Sequence, residues 1–385
     1  MERCAGGPLQ HEKIGIVTSV WETGKTGRDG GDRPITRGPA PRAVRDGYTP
    51  FVAQHGFAAA YEAGLARGLG DRLGQTLVVT QPEAWAIVEP RFGRAPAALV
   101  SARALDQETL DALAHAAPDG VTVVGIGGGT AMDVAKWISW RRKLPLVQLP
   151  TLASVDACFT RMSALRDGER VRYDGDAVPD EVLIDYEILG SAPLALLSAG
   201  IGDVLSCLTA LADWKLAVAK GIDPAWNEEG AYASVRYIDA LEAAAPEIAA
   251  RSEAGIRALM ELHREIGWRC HDLGHARFEE GSEHFFAYCF EAVTGRTIMH
   301  GELVVMGVLA MTALTEIDHD RARSIVTAAG TRWRLSDLGV TWSEVEATLR
   351  ALPEFARAGG YWYSHAHERA IGEAELATVR RALGA

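Results

Sequence analysis

Two kinds of residue in this chain are able to do chemistry, and the first is a run of glycines. In VTVVGIGGGTAMDVAK (121–136), a β-branched run enters Gly127, Gly128, Gly129 and Thr130, and a helical pattern follows. Consecutive glycines allow positive φ and bring bare backbone N–H groups close to a guest. The helix start beyond them adds partial positive charge, so a diphosphate suits the turn. Asp133, early in that helix, would hold a ribose hydroxyl or a backbone amide. A plain tight turn explains the same residues, and the segment spells neither GxGxxG nor a P-loop. QLPT (148–151) ends a second apolar run, and Ser154 and Asp156 follow Thr151 closely. Groups placed there either face a ligand off the carboxyl ends of strands or make local turn and helix-cap bonds.

The second kind is a carboxylate with two imidazoles. Asp203 sits in AGIGDVLS (199–206), His284 in GSEHFF (281–286) and His300 in IMHGE (298–302). A catalytic divalent metal takes three N/O ligands and keeps a position open for substrate. Asp/His/His suits Zn²⁺ first and also accepts Fe²⁺ or Ni²⁺. Spacing alone favours the plainer explanation, because the chain has eleven histidines and most histidines on helices pack or face water. Cys207, one turn after Asp203, is read as a buried structural thiol in preference to a fourth ligand. His263, His271 and His275 are read as surface or packing residues. The aromatic run 361–363 is read as core or as a contact within a homo-oligomer.

Elements of two textures must position these groups. Residues 75–80, 97–101, 121–126 and 144–149 read as strands, and 57–69, 83–92, 107–116 and 131–139 as helices. Such alternation predicts a parallel sheet covered on both faces. After about residue 190 helical periods take over, at 202–219, 228–243, 254–270, 284–293, 301–315, 321–329, 343–352 and 372–383. The expected organisation is an arm at 1–45 with one edge strand at 14–20, an α/β domain at 46–190 and an all-helical domain at 191–385. With 385 residues, 48% hydrophobic and 23% charged, the chain is an ordinary globular one and not a disordered or fibrous one. Its net charge of −12 argues against nucleic acid as a partner. No apolar run of about 18 residues argues for a membrane span, and the first residues lack the apolar core of a secretory signal. Five cysteines without CxxC spacing fit a reduced, cytoplasmic compartment.

Taken together, GGGTAMDVAK (127–136), PTLASVDACFT (150–160), AGIGDVLSCLTALADWKLA (199–217), GSEHFF (281–286) and HGELVVMG (300–307) resemble the metal-dependent alcohol dehydrogenase and dehydroquinate synthase superfamily. Within its polyol-dehydrogenase branch the chain is most similar to the sn-glycerol-1-phosphate dehydrogenases. The resemblance implies an α/β dinucleotide-binding domain followed by a helical domain, with the reaction in the cleft between them. It implies that Asp203, His284 and His300 hold the metal. It implies that Gly127, Gly128, Gly129, Thr130 and Asp133 bind the diphosphate side of NAD(H) or NADP(H), that Thr151, Ser154 and Thr160 line the same cofactor, and that Asp156 contacts substrate hydroxyls. The partner would be a small carbonyl compound or its alcohol.

Three departures stand out. Gln81 occupies the position where relatives carry an acidic residue for the adenine ribose; a carboxylate repels a 2′-phosphate and Gln does not, so NADPH is expected to be tolerated or preferred. Tyr288 stands where the glycerol-phosphate enzymes carry a substrate-contacting His. ARFEE (276–280) replaces a small neutral run, which weakens the case for a doubly anionic substrate. Two other functions fit the same motifs. One is a cyclase in the manner of dehydroquinate synthase, with transient redox of the cofactor. The other is a nucleotide-binding protein without catalysis.

Overall fold

Parallel strand pairing organises the first half of the molecule. The computed structural model describes residues 56–385 apart from Glu169, Pro224, Ala225, Glu316 and Arg369; the arm expected at 1–45 and its strand at 14–20 lie outside the described residues. The strands are β1 (Ala59–Glu62), β2 (Thr76–Thr80), β3 (Ala98–Ser101), β4 (Thr122–Gly127), β5 (Leu146–Pro150), β6 (Ser163–Asp167), β7 (Arg170–Asp174) and β8 (Glu181–Asp185). Six form one parallel sheet in the order β1-β8-β5-β4-β2-β3, and β6 and β7 form a separate antiparallel hairpin. Every residue of β2 and β5 is buried, which is why these strands read as continuous apolar runs and not as alternating ones.

The strand order has a consequence for ligands. From β2 the chain steps outward to β3, then crosses back over β2 to reach β4. The helix after β2 (Pro82–Phe92) and the helix after β4 (Gly129–Arg142) pack into different apolar clusters. The carboxyl ends of β2 and β4 therefore flank a topological switch point, the place where open α/β sheets take their ligands.

Residues 57–69, expected to be helical from their alanine content, form β1 and a turn instead. The strand pairs with β8 from Ala59↔Val182 to Glu62↔Asp185. Asp185 then accepts the Gly64 and Ala66 amides at 3.0 and 2.9 Å, fixing the chain where a helix would have continued. Tertiary pairing thus overrides local propensity. The hairpin β6–β7 and strand β8 were not expected either.

After Asp185 every regular element among the described residues is a helix. The helices expected at 228–243, 254–270, 284–293, 301–315 and 343–352 are found as Glu228–Ala249, Glu253–Leu273, Ser282–Thr294, His300–Thr315 and Trp342–Gly359, longer than expected at one or both ends. The stretch Leu194–Ala219 is apolar and long enough to cross a membrane, but 78% of its most apolar window is buried within the fold. Its composition is accounted for by its place in the core, where Leu197, Ile201, Leu205 and Trp214 are all buried. Both halves lie in one compact unit.

Candidate metal and cofactor site

Asp203, His284 and His300 come from three helices and meet. Asp203 lies on Ile201–Leu205, His284 in the first turn of Ser282–Thr294, and His300 at the start of His300–Thr315. Their approach depends on absent side chains. A methyl group on Gly202 would strike the carbonyl of Gly301, and one on Gly301 would strike the carbonyl of Ala199. Backbone rests on backbone there, so the Asp203 and His300 turns touch directly.

The resulting geometry is that of a ligand set. Asp203 Oδ1 lies 3.8 Å from His284 Nε2 and 3.7 Å from His300 Nε2. One ligand atom from each of the three residues falls within 4.8 Å of the others. Ligands about 2.1 Å from one ion at tetrahedral angles are about 3.4 Å apart, so an inward adjustment on the order of 1 Å lets all three share an ion. Asp203 Oδ2 accepts the Asp156 amide at 3.2 Å. Asp203 Oδ1 is buried and has no hydrogen-bond partner. A buried carboxylate oxygen left unpaired is costly, and a cation between it and the two imidazoles removes that cost.

Glu283, which the sequence reading passed over, completes the arrangement. It is fully buried. Its Oε1 accepts from His284 Nδ1 at 2.9 Å and from the Gly281 amide at 2.7 Å, and its Oε2 accepts from Thr209 Oγ1 at 2.6 Å. The imidazole proton is thereby fixed on Nδ1, leaving the Nε2 lone pair facing Asp203 and His300. The carboxylate stands directly before His284 in GSEH, a signal visible in the sequence. Behind it, Asp213 Oδ2 accepts the Ser282 amide at 2.7 Å, and Asp213 Oδ1 accepts the backbone amide and Nδ1 of His365 at 2.8 and 2.5 Å. The turn bearing His284 is thus anchored to a residue far along the chain.

The expected substrate residues lie beside this set. Burial and the charge of Asp203 push Asp156 up to about 7. The Tyr288 ring stacks on His300 with centroids 6.1 Å apart and lies 6.1 Å from the His284 ring. Cys207 is buried and stands outside the ligand set. His263 is buried with Nε2 at 2.8 Å from the Gly200 carbonyl, His271 is exposed beside Arg161, and His275 packs on Trp214; none joins the three.

The glycine turn lies at the switch point. Gly127 has φ 144°, and a side chain there would collide with the amide oxygen of Gln81 at the end of β2. Gln81 and the turn are therefore neighbours across the crevice. The Thr151 amide donates to the Gly127 carbonyl at 2.9 Å, which brings the β5 end to the same place. Thr151 and Ser154 are buried there, and Thr130 opens the helix that follows. Asp133 and Thr160 both contact Lys136. Lys136, almost fully buried, pairs with Asp133 Oδ1 at 2.8 Å and donates to Thr160 Oγ1 at 2.6 Å and to the Met162 carbonyl at 2.5 Å. These two residues hold a lysine between the Gly129–Arg142 helix and the hairpin.

Known proteins share this architecture. Residues 89–193 match the family model described as iron-containing alcohol dehydrogenase. Over that stretch the chain is similar to the iron-containing alcohol dehydrogenases. It is 31% identical over 227 residues to the glycerol-1-phosphate dehydrogenase [NAD(P)+] of Aeropyrum pernix, covering 59% of this chain and 64% of that protein. It is 31% identical over 222 residues to the protein of the same name from Sulfurisphaera tokodaii, covering 57% and 62%. The match thus spans less than two thirds of these relatives. The structure superposes on the glycerol dehydrogenase of Schizosaccharomyces pombe with a TM-score of 0.62 at 20% identity, over 85% of this chain and 90% of the other. That superposition establishes the fold: a parallel α/β half followed by a helical half.

Proposed function

We propose that the protein is a metal-dependent NAD(P)H oxidoreductase that interconverts a small carbonyl compound and its alcohol. The observation that carries this reading is Asp203 Oδ1, buried and unpartnered, facing two imidazole nitrogens. The relatives named as glycerol-1-phosphate dehydrogenases support it, as do the glycine turn and Gln81 at the switch point.

Asp203, His284 and His300 would hold one divalent ion, with Zn²⁺ favoured by the donor set and Fe²⁺ or Ni²⁺ as competitors. When bound, the ion supplies Lewis acidity at the carbonyl or alkoxide oxygen, and the nicotinamide supplies the hydride chemistry. The chain's own residues do the rest. Glu283 fixes the tautomer and aim of His284. The Asp156 amide holds one oxygen of Asp203 and leaves the other free. Gly127, Gly128, Gly129 and Thr130 form the anion seat for the dinucleotide, with Thr151 and Ser154 beside it and Asp156 turned to substrate hydroxyls. In this reading residues 46–190 serve the cofactor and 191–385 the metal.

Initial rates with a panel of simple aldehydes, ketones and polyols test the proposal. Expected is oxidation or reduction of NAD(P)(H) that is lost on metal stripping and restored by a divalent ion. Near-normal activity in the stripped protein overturns it. Net consumption of cofactor separates a dehydrogenase from a cyclase of the dehydroquinate synthase type. Comparing NADH with NADPH tests the assignment of Gln81, and a strong NADH preference rejects it.

A further inference from the structure

We infer that Tyr288, Glu280 and Tyr173 form a hydrogen-bonding wall for the non-reacting end of the substrate, so that the site takes an uncharged hydroxylated carbonyl compound and discriminates against its phosphate ester. The inference rests on the proposed metal site at Asp203, His284 and His300. Tyr288 follows His284 by one helical turn and faces the same side. Its hydroxyl donates to Glu280 Oε1 at 3.0 Å and lies 3.2 Å from the hydroxyl of Tyr173. Tyr173 comes from β7, so the hairpin reaches across to the helical half at this point. Tyr173 is 45% exposed, which places its end of the wall at the edge of the site.

Carboxyl groups crowd the wall. Glu279 precedes Glu280 and accepts from Cys270 Sγ at 3.2 Å. Burial pushes both carboxyls up; the charge of Asp156 raises Glu279 further, and His284 opposes the rise in both. Three cations act on the site from the elements packed around it, and each already has a carboxylate. Lys136 pairs with Asp133 at 2.8 Å, Arg166 with Glu291 at 3.0 Å and Arg277 with Asp223 at 2.7 Å. A phosphate monoester would bring up to two negative charges against the Glu280 carboxyl, while these three cations, among the described residues, are already paired. A hydroxyl group donates to a carboxylate and accepts from a tyrosine, and both partners are present.

The test compares dihydroxyacetone with dihydroxyacetone phosphate, which share a carbon skeleton, as substrates for the metal-loaded full-length enzyme. Expected is a kcat/KM higher by at least about tenfold for the uncharged compound. Glu280→Gln is expected to narrow that ratio by improving the phosphate ester relative to its parent. Tyr173→Phe, which removes one oxygen from a partly exposed ring, is expected to raise KM for the uncharged compound and serves if Glu280→Gln fails to fold. A preference for the phosphate ester overturns the inference while leaving the dehydrogenase intact. A ratio untouched by both variants also overturns it. Absence of cofactor oxidation with either compound and with simple aldehydes and ketones defeats the dehydrogenase proposal itself, and this inference with it.

Discussion

Glu283→Gln separates the aim of His284 from the integrity of the fold. The substitution keeps the shape of a fully buried side chain. Its amide oxygen still accepts from Gly281 and His284, as Oε1 of Glu283 does at 2.7 and 2.9 Å. The amide nitrogen replaces Oε2, which now accepts from Thr209 Oγ1. That hydroxyl is also 3.1 Å from the Ser206 carbonyl, so it turns its proton there and accepts from the new N–H. The second amide hydrogen gains no partner, and stability is expected to fall by about 1–3 kcal/mol. What is lost is the negative charge behind the imidazole. Removing such an outer partner costs about 10- to 100-fold in metal affinity, roughly 1.4–2.8 kcal/mol. Competition with a chelator reads the Zn²⁺ dissociation constant, and thermal melting of the metal-free protein reads the fold. A folded variant with an unchanged dissociation constant would refute the idea that Glu283 acts through His284 on a bound ion.

Other outcomes follow from the same geometry. Asp203→Asn and His284→Ala should each lower turnover by at least about 100-fold while NAD(P)H fluorescence titrations still show nucleotide binding; loss of nucleotide binding would move these residues out of the metal site. Gly301→Ala should press a methyl against the Ala199 carbonyl, lowering stability by about 1–3 kcal/mol and reducing metal content, both read on the purified variant. Gln81→Asp should shift the kcat/KM ratio toward NADH by about tenfold or more, and an unshifted ratio would remove Gln81 from the adenine ribose.

Much of this molecule is legible because its strongest signals are local. VTVVGIGGG announces a buried strand and a turn without help from distant residues, and long amphipathic periods mark the helices of the second half. What escaped notice is held by pairing across the chain. The alanines of β1 favour a helix until β8 and Asp185 claim them. The hairpin β6–β7 carries three arginines among its polar residues and shows no apolar run. At the site, Asp203, His284 and His300 were visible as types, but spacing said nothing of their meeting; that depends on glycine-to-backbone contact at Gly202 and Gly301. Asp133 and Thr160 look like cofactor ligands from their neighbours, and only the fold reveals Lys136 lying between them.

The link from His365 through Asp213 to Ser282 bears on how the protein is made. A nascent chain that has already produced Asp203, His284 and His300 still lacks the clasp that steadies the turn carrying one of them. The ribosome must add some sixty residues more before His365 exists, and then still more before it clears the exit tunnel. Until then the turn that carries His284 lacks the carboxylate bridge to the end of the fold.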